Sequence, residues 1–209
     1  MNLYWRSRNL LRAGVLLVLF AVAGALMGRR TLSLLLAAHA TSIRWRYVFV
    51  MLLAAVCVMS LSSPVRSIDL SDTGPLAKAR RTHLLAGFAI GLLVCAASGL
   101  VADPDAWLGD VRAYVFWFGC ALASAAALGD SMAWLVPVAS LAPLILWGES
   151  TAPTPTWNWA NAAVAAPVSW IVAAGALVAG IGAYWIGAEL RAYRARPARA
   201  ASHAASAAK

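Results

Sequence analysis

The sequence predicts an all-α fold, a polytopic transmembrane bundle of six helices. Three observations carry this expectation. The chain is 62% hydrophobic and only 12% charged, with a mean hydropathy of +0.75, where soluble domains carry roughly 25% charged residues. Its 17 basic and 8 acidic residues leave long charge-free stretches at 13–28, 47–65, 82–102, 113–129, 131–148 and 150–188, and a helix crosses a bilayer with about 20 apolar residues. Runs such as "AGVLLVLFAVAGALM" do not alternate, as the strands of a lipid-facing β-barrel would have to.

Residues 1–12, "MNLYWRSRNLLR", set three Arg beside Tyr4 and Trp5, a mixture that suits the headgroup zone. Span 1 is placed at 13–28. Its basic start and Ala23-Gly24-Ala25 also fit a cleaved signal peptide; in a multi-span chain the uncleaved anchor is favoured. Spans 2 to 6 are placed at 47–63, 82–101, 113–129, 132–148 and 167–188. Together they make a membrane domain over 1–190, followed by a basic Ala/Arg-rich tail, 191–209, expected to be cytoplasmic and disordered.

Basic loops tend to stay in the cytoplasm. The N-terminus, loop 64–81 and the tail are therefore placed inside. Loop 102–112, with Asp103, Asp105 and Asp110, and loop 149–166, with Glu149 and no basic residue, are placed outside. Six spans put both termini in the cytoplasm. Loop 29–46 is the misfit, because its four Arg (29, 30, 44 and 46) fall outside. Either the other loops outvote it, or part of "TLSLLLAAHATSI" dips back to the inner face.

Small residues recur every fourth position in span 3 (Gly87, Gly91, Cys95, Gly99), span 6 (Gly175, Ala179, Ala183, Gly187) and span 4 (Ala121, Ala125, Gly129). Such rows let backbones approach where lipid removes the hydrophobic drive between helices. Packing within one chain is the first reading, a homodimer seam the second. Span 5, "WLVPVASLAPLILW", holds Pro137 and Pro143 with Ser140 between them. Each proline removes a backbone donor, so a kink is expected there, and broken helices sometimes line transport pathways.

Catalytic and cofactor signatures are missing from the sequence. There is no phosphate-loop pattern, H-E-x-x-H or C-x-x-C, and "GIGAYWIG" has no dinucleotide spacing. Cys57, Cys95 and Cys120 read as packing residues. His39, His83 and His203 read as interfacial, not as haem ligands. "ADPDAWLGD" lacks the rest of a calcium loop, so Asp105 is expected to cap a helix, as is Asp130 at the Gly129-Asp130-Ser131 turn. No charged side chain is expected in mid-span, which disfavours ion coupling. Trp157 and Trp159 suit the outer interface, and "WNWANAAVA" is apolar enough to dip into the membrane. The net charge of +9 comes without any nucleic-acid module, so the basic residues are assigned to topology and anionic lipid. No enzyme activity, cofactor, metal or nucleic-acid partner is expected.

The stretch "RSIDLSDTGPLAKARRTH" gathers Arg66, Asp69, Asp72, Lys78, Arg80 and Arg81 between spans 2 and 3. Asp72 or Thr73 can cap a helix with Pro75 in its first turn, giving an amphipathic elbow on the cytoplasmic face. A topology anchor explains the cations. Charges of both signs also suit docking of a partner.

Six spans, an amphipathic N-terminal segment, this charged elbow and a re-entrant-looking loop between spans 5 and 6 resemble the membrane subunit of an ABC-2-type exporter. "SPVRSIDLSDTGPLAKARRTHLL" is similar to small actinobacterial membrane proteins of that class. The resemblance implies a bacterial plasma-membrane permease that moves a hydrophobic or amphipathic solute, as a homodimer or with a second permease. It implies that residues 64–81 contact a separate cytoplasmic ATPase, which hydrolyses the ATP. The alternative is a non-transport membrane protein, such as a scaffold, regulator or immunity protein.

Overall fold

The computed structural model describes residues 10–34, 41–62, 74–147 and 162–207. In chain order these form α1 (Leu10–Met27), β1 (Thr31–Leu34), β2 (Thr41–Arg44), α2 (Trp45–Met59), α3 (Gly74–Ala102), α4 (Trp107–Leu128), a 3-10 turn (Asp130–Met132), α5 (Leu135–Trp147) and α6 (Pro167–Ala207). Helices dominate, as expected. The addition is a two-stranded antiparallel hairpin inside loop 29–46, with Thr31 opposite Arg44 and Leu34 opposite Thr41. It closes the connection at one end of the bundle, and the backbone N–H of Trp45 donates to the carbonyl of Arg30 at 3.0 Å. That bond satisfies one of the orphan donors at the start of α2.

Three helical segments, Lys78–Ala102, Trp107–Leu128 and Pro167–Gly187, are long and apolar enough to cross a membrane; Leu11–Met27 and Trp45–Met59 are shorter apolar helices. α5 has 13 residues and rises only about 20 Å, against roughly 30 Å of hydrocarbon. It packs on α4 and reaches from the 129–134 turn to β2. Pro137 lies in the first turn of α5, where its missing N–H costs no helical bond, so it does not kink the helix as expected; Pro143 is the interior proline. The tail also departs from expectation, since α6 continues as helix through Ala207. Residues 188–207 extend the Pro167–Gly187 helix without a break.

The core is built around α4. Asp110, Arg112, Tyr114, Trp117, Phe118, Leu122 and Ala125 are buried on several of its faces, as in a helix enclosed by others. Phe88 of α3 meets Phe118 edge-on at 5.0 Å, and Tyr47 of α2 meets Trp117 at 6.2 Å. Cys57 and Cys95 are buried packing residues and Cys120 is half-buried, all with free thiols.

Glycine decides two helix contacts. A Cβ on Gly91 would strike the Tyr114 side chain and the Cys57 thiol, so the span 3 row is an intrachain seam. In the contact between α4 and α6, a Cβ on Gly119 would strike the backbone of Ala176, and one on Gly180 would strike the backbone of Gly119. The α6 row expected from spacing is met only in part: a Cβ on Gly187 would stand 3.4 Å from the Ala126 carbonyl of α4, but the first half of the row faces away. Gly175 and Ala179 are exposed, Gly175 has open space around its Cβ position, and the buried face carries Ala173, Gly180 and Tyr184. The reason is that the backbone of α4 needs a bare Gly119–Gly180 crossing. Replacing Gly180 by Leu is expected to cost roughly 1–3 kcal/mol through overpacking, while Gly175→Leu changes little. Thermal unfolding of both variants in detergent measures this; equal midpoints would refute the crossing.

Candidate functional site

Charged side chains collect at the two ends of the bundle. At the hairpin end, α2 and α4 begin earlier than the charge-free stretches suggest, so Arg46, Asp110 and Arg112 lie inside helices. All three are buried, at 5%, 2% and 1% exposure. Arg46 Nε lies 3.2 Å from Asp110 Oδ1, and Arg46 Nη1 lies 3.3 Å from Asp103 Oδ2. Half-exposed Arg44 adds a third contact, 3.5 Å from the same Asp103 oxygen. Arg29 Nε donates to the carbonyl of Ala102 at 2.7 Å, covering an orphan acceptor at the end of α3.

Bare backbone makes room for this cluster: a Cβ on Gly99 would sit 2.8 Å from Asp110 Oδ2. A cavity of about 10 Å³ borders Arg46, Asp110 and Ser98, about the size of one water and too small for an organic solute. Next to it, the Arg112 guanidinium donates to the carbonyls of Ala162 (3.0 Å) and Ala163 (3.2 Å) and to Ser169 Oγ (2.6 Å). The Ser169 hydroxyl donates onward to the Ala166 carbonyl at 2.7 Å. Arg112 thus fixes the turn that starts α6. Asp105 does not cap α4, whose N-cap is Ala106 with no side-chain cap bond.

At the opposite end, Arg80 joins three elements. Its Nη2 donates to Asp130 Oδ2 at 3.1 Å and to Tyr184 Oη at 2.6 Å, and its Nε donates to the same hydroxyl at 3.1 Å. Asp130 is therefore an ion-pair partner across the bundle, not a cap on α5. Arg81 stacks over the Trp185 ring at 4.6 Å. His83 is buried, with Nε2 3.2 Å from Ser60 Oγ. The Ser60 hydroxyl is committed to the Cys57 carbonyl at 2.6 Å, so the imidazole N–H is the donor.

The residues singled out in the sequence fall as follows. Arg66, Asp69 and Asp72 lie outside the described residues, as does most of loop 149–166. Lys78 and Arg81 are exposed on α3, and Arg80 is engaged internally. Pro137 is fully buried. Ser140 Oγ donates to the Pro137 carbonyl at 2.7 Å and accepts from Trp117 Nε1 at 3.2 Å. Pro137 and Ser140 thus pack against the central helix. The hairpin-end network was missed because its members were assigned to loops. The readable signal was an acidic loop and a basic loop placed on the same side.

No family model, curated protein or solved structure matches the chain.

Removing Asp110 leaves Arg46 buried with only the more exposed Asp103. Asp110→Ala is expected to destabilise by about 3–5 kcal/mol, the usual cost of breaking a buried pair. Asp103→Ala should cost about 1 kcal/mol or less, in keeping with a more solvated pair. Unfolding in detergent compares them; equal losses would show that burial does not rank the two carboxylates.

Proposed function

We propose that this is a multi-pass protein of a bacterial cell membrane, with the hairpin end outside and the Asp130 end in the cytoplasm. The observation that carries this reading is the apolar surface between two charged ends: α1, α3 and α6 expose Leu19, Val22, Leu93, Ile171 and Val178 among others. Exposed apolar area on several helices marks contact with lipid or a partner. Pairing also supports the orientation. Arg44 and Arg46 are compensated by Asp103 and Asp110, which lowers the outer cationic load that made loop 29–46 a misfit. The inner end keeps Arg12, Lys78 and Arg81 and the arginines of the tail.

Within that setting, the chain serves as the permease subunit of an ABC-type exporter for a hydrophobic or amphipathic solute, driven by a separate ATPase that meets the elbow. The layout favours this reading. The interior around α4 is filled by Tyr114, Trp117 and Phe118, so the solute path runs between two permease halves and not through one chain. The same filled interior favours the second reading, a non-transport membrane protein.

Two measurements follow. A C-terminal fluorescent-protein fusion should glow and a C-terminal periplasmic-phosphatase fusion should stay inactive; the reverse would invert the proposed orientation. Mild-detergent purification from the native host should recover a stoichiometric soluble ATPase, and Asp69→Ala with Asp72→Ala should lose it while insertion is retained. Recovery of the chain without an ATPase would sink the exporter reading in favour of the non-transport one.

A further inference from the structure

At the Asp130 end, α3 and α6 are joined by long side chains. Arg80 reaches Tyr184, and the Arg81 guanidinium carbon stands 4.6 Å over the Trp185 ring. Lys78 sits one turn before Arg81 on the same face of α3, and both are exposed. Among the described residues no carboxylate pairs with either cation, because Asp130 is engaged by Arg80. A guanidinium in cation–π contact with an indole still has N–H donors to offer an oxyanion.

Directly along this face of α3, toward the middle of the helix, come Leu85, Ala89 and Leu93. All are exposed, Leu85 to 65% and Leu93 to 69%. On α6 the corresponding stripe runs from Trp185 past Gly182 to Val178, which is 70% exposed, and Gly182 has open space where a side chain would stand. Among the described residues, two cations without a carboxylate partner therefore head an exposed apolar stripe on α3, with the Trp185 indole and the exposed α6 stripe beyond it.

We propose that Lys78, Arg81 and Trp185 form a site for the phosphate of an anionic phospholipid, whose acyl chain lies along Leu85, Leu93 and Val178. The site rests on the reading that this end of the chain meets the inner headgroup layer. Charge and shape select the occupant. An acidic protein surface would use the cations but not the apolar stripe, and a zwitterionic lipid would bring an ammonium group next to two cations.

The test is native mass spectrometry of the full-length protein in detergent, titrated with palmitoyl-oleoyl phosphatidylglycerol or with the phosphatidylcholine of the same chains. A cation beside an anionic headgroup is worth roughly five-fold in affinity, so phosphatidylglycerol should bind about thirty-fold more tightly. Lys78→Gln alone should lower that preference about five-fold, and K78Q/R81Q should abolish it. Replacing Arg191, Arg194, Arg196 and Arg199 by Gln should leave most of it. Equal binding of the two lipids by the native protein, or a preference that survives K78Q/R81Q, overturns the site. Full displacement of the lipid by inorganic phosphate would show a free-phosphate site instead and overturn the lipid assignment. Release of the protein from membranes by alkaline carbonate would sink the membrane reading. A chain that resists carbonate yet treats both lipids alike sinks this site alone.

Discussion

The ion pair between Arg46 and Asp110 fixes the geometry of the hairpin end. Both groups are buried, so each must stay within reach of the other; a buried charge left without a partner costs several kcal/mol. That requirement sets the start of α2 against the start of α4. Asp103 and Arg29 extend it to the end of α3, and Arg112 extends it to the start of α6. Small residues obey the same demand. A Cβ on Gly28 would stand 3.2 Å from that of Ala102, so the chain leaving α1 passes α3 with no side chain between them. Such pairs add little net stability over a well-packed apolar core. Their contribution here is register.

Away from that end, packing takes over. α4 and α6 approach through Gly119 and Gly180, the kind of close backbone contact that holds helices together where lipid offers no hydrophobic drive. Ser124 extends the order into the following turn: its hydroxyl donates to the Met132 carbonyl at 2.6 Å and accepts from the Val136 N–H at 3.4 Å. The turn itself depends on Gly129, whose φ of 101° disfavours any residue with a Cβ. At its far side Asp130 receives Arg80. The end of α4, the start of α3 and the inner part of α6 are thereby joined in one place.

Much of the helical layout was legible in the charge-free stretches, because a long apolar run has few structural uses other than a helix that faces lipid or core. The tight turn at Gly129 and the span 3 seam were readable for similar reasons, since local chemistry determines both. What escaped detection was every feature set by another element. In the sequence Arg46, Asp110 and Arg112 mark span boundaries, because each is costly to bury alone and spacing along the chain does not reveal a partner 57 or 51 residues away. Spacing finds the α6 seam only at Gly187, because a four-residue rhythm of small residues occurs on more than one face of that helix, and the crossing at Gly119 decides that Gly180 is used. Pro137 reads as a breaker only if the helix starts at 132; the helix starts at Leu135, which puts Pro137 in its first turn.

On the proposed orientation, ion pairing eases the misfit of loop 29–46. The positive-inside tendency reflects the work of carrying charge across a membrane and holding it near a surface. A guanidinium that crosses beside its carboxylate carries little net charge, so Arg44 and Arg46 weigh less than a tally of arginines assigns them. The same correction acts at the opposite end. Arg80 is held by Asp130 and Tyr184. Of the charged cluster's described members, Arg80 is therefore an internal fastening, while Lys78 and Arg81 stay exposed on α3.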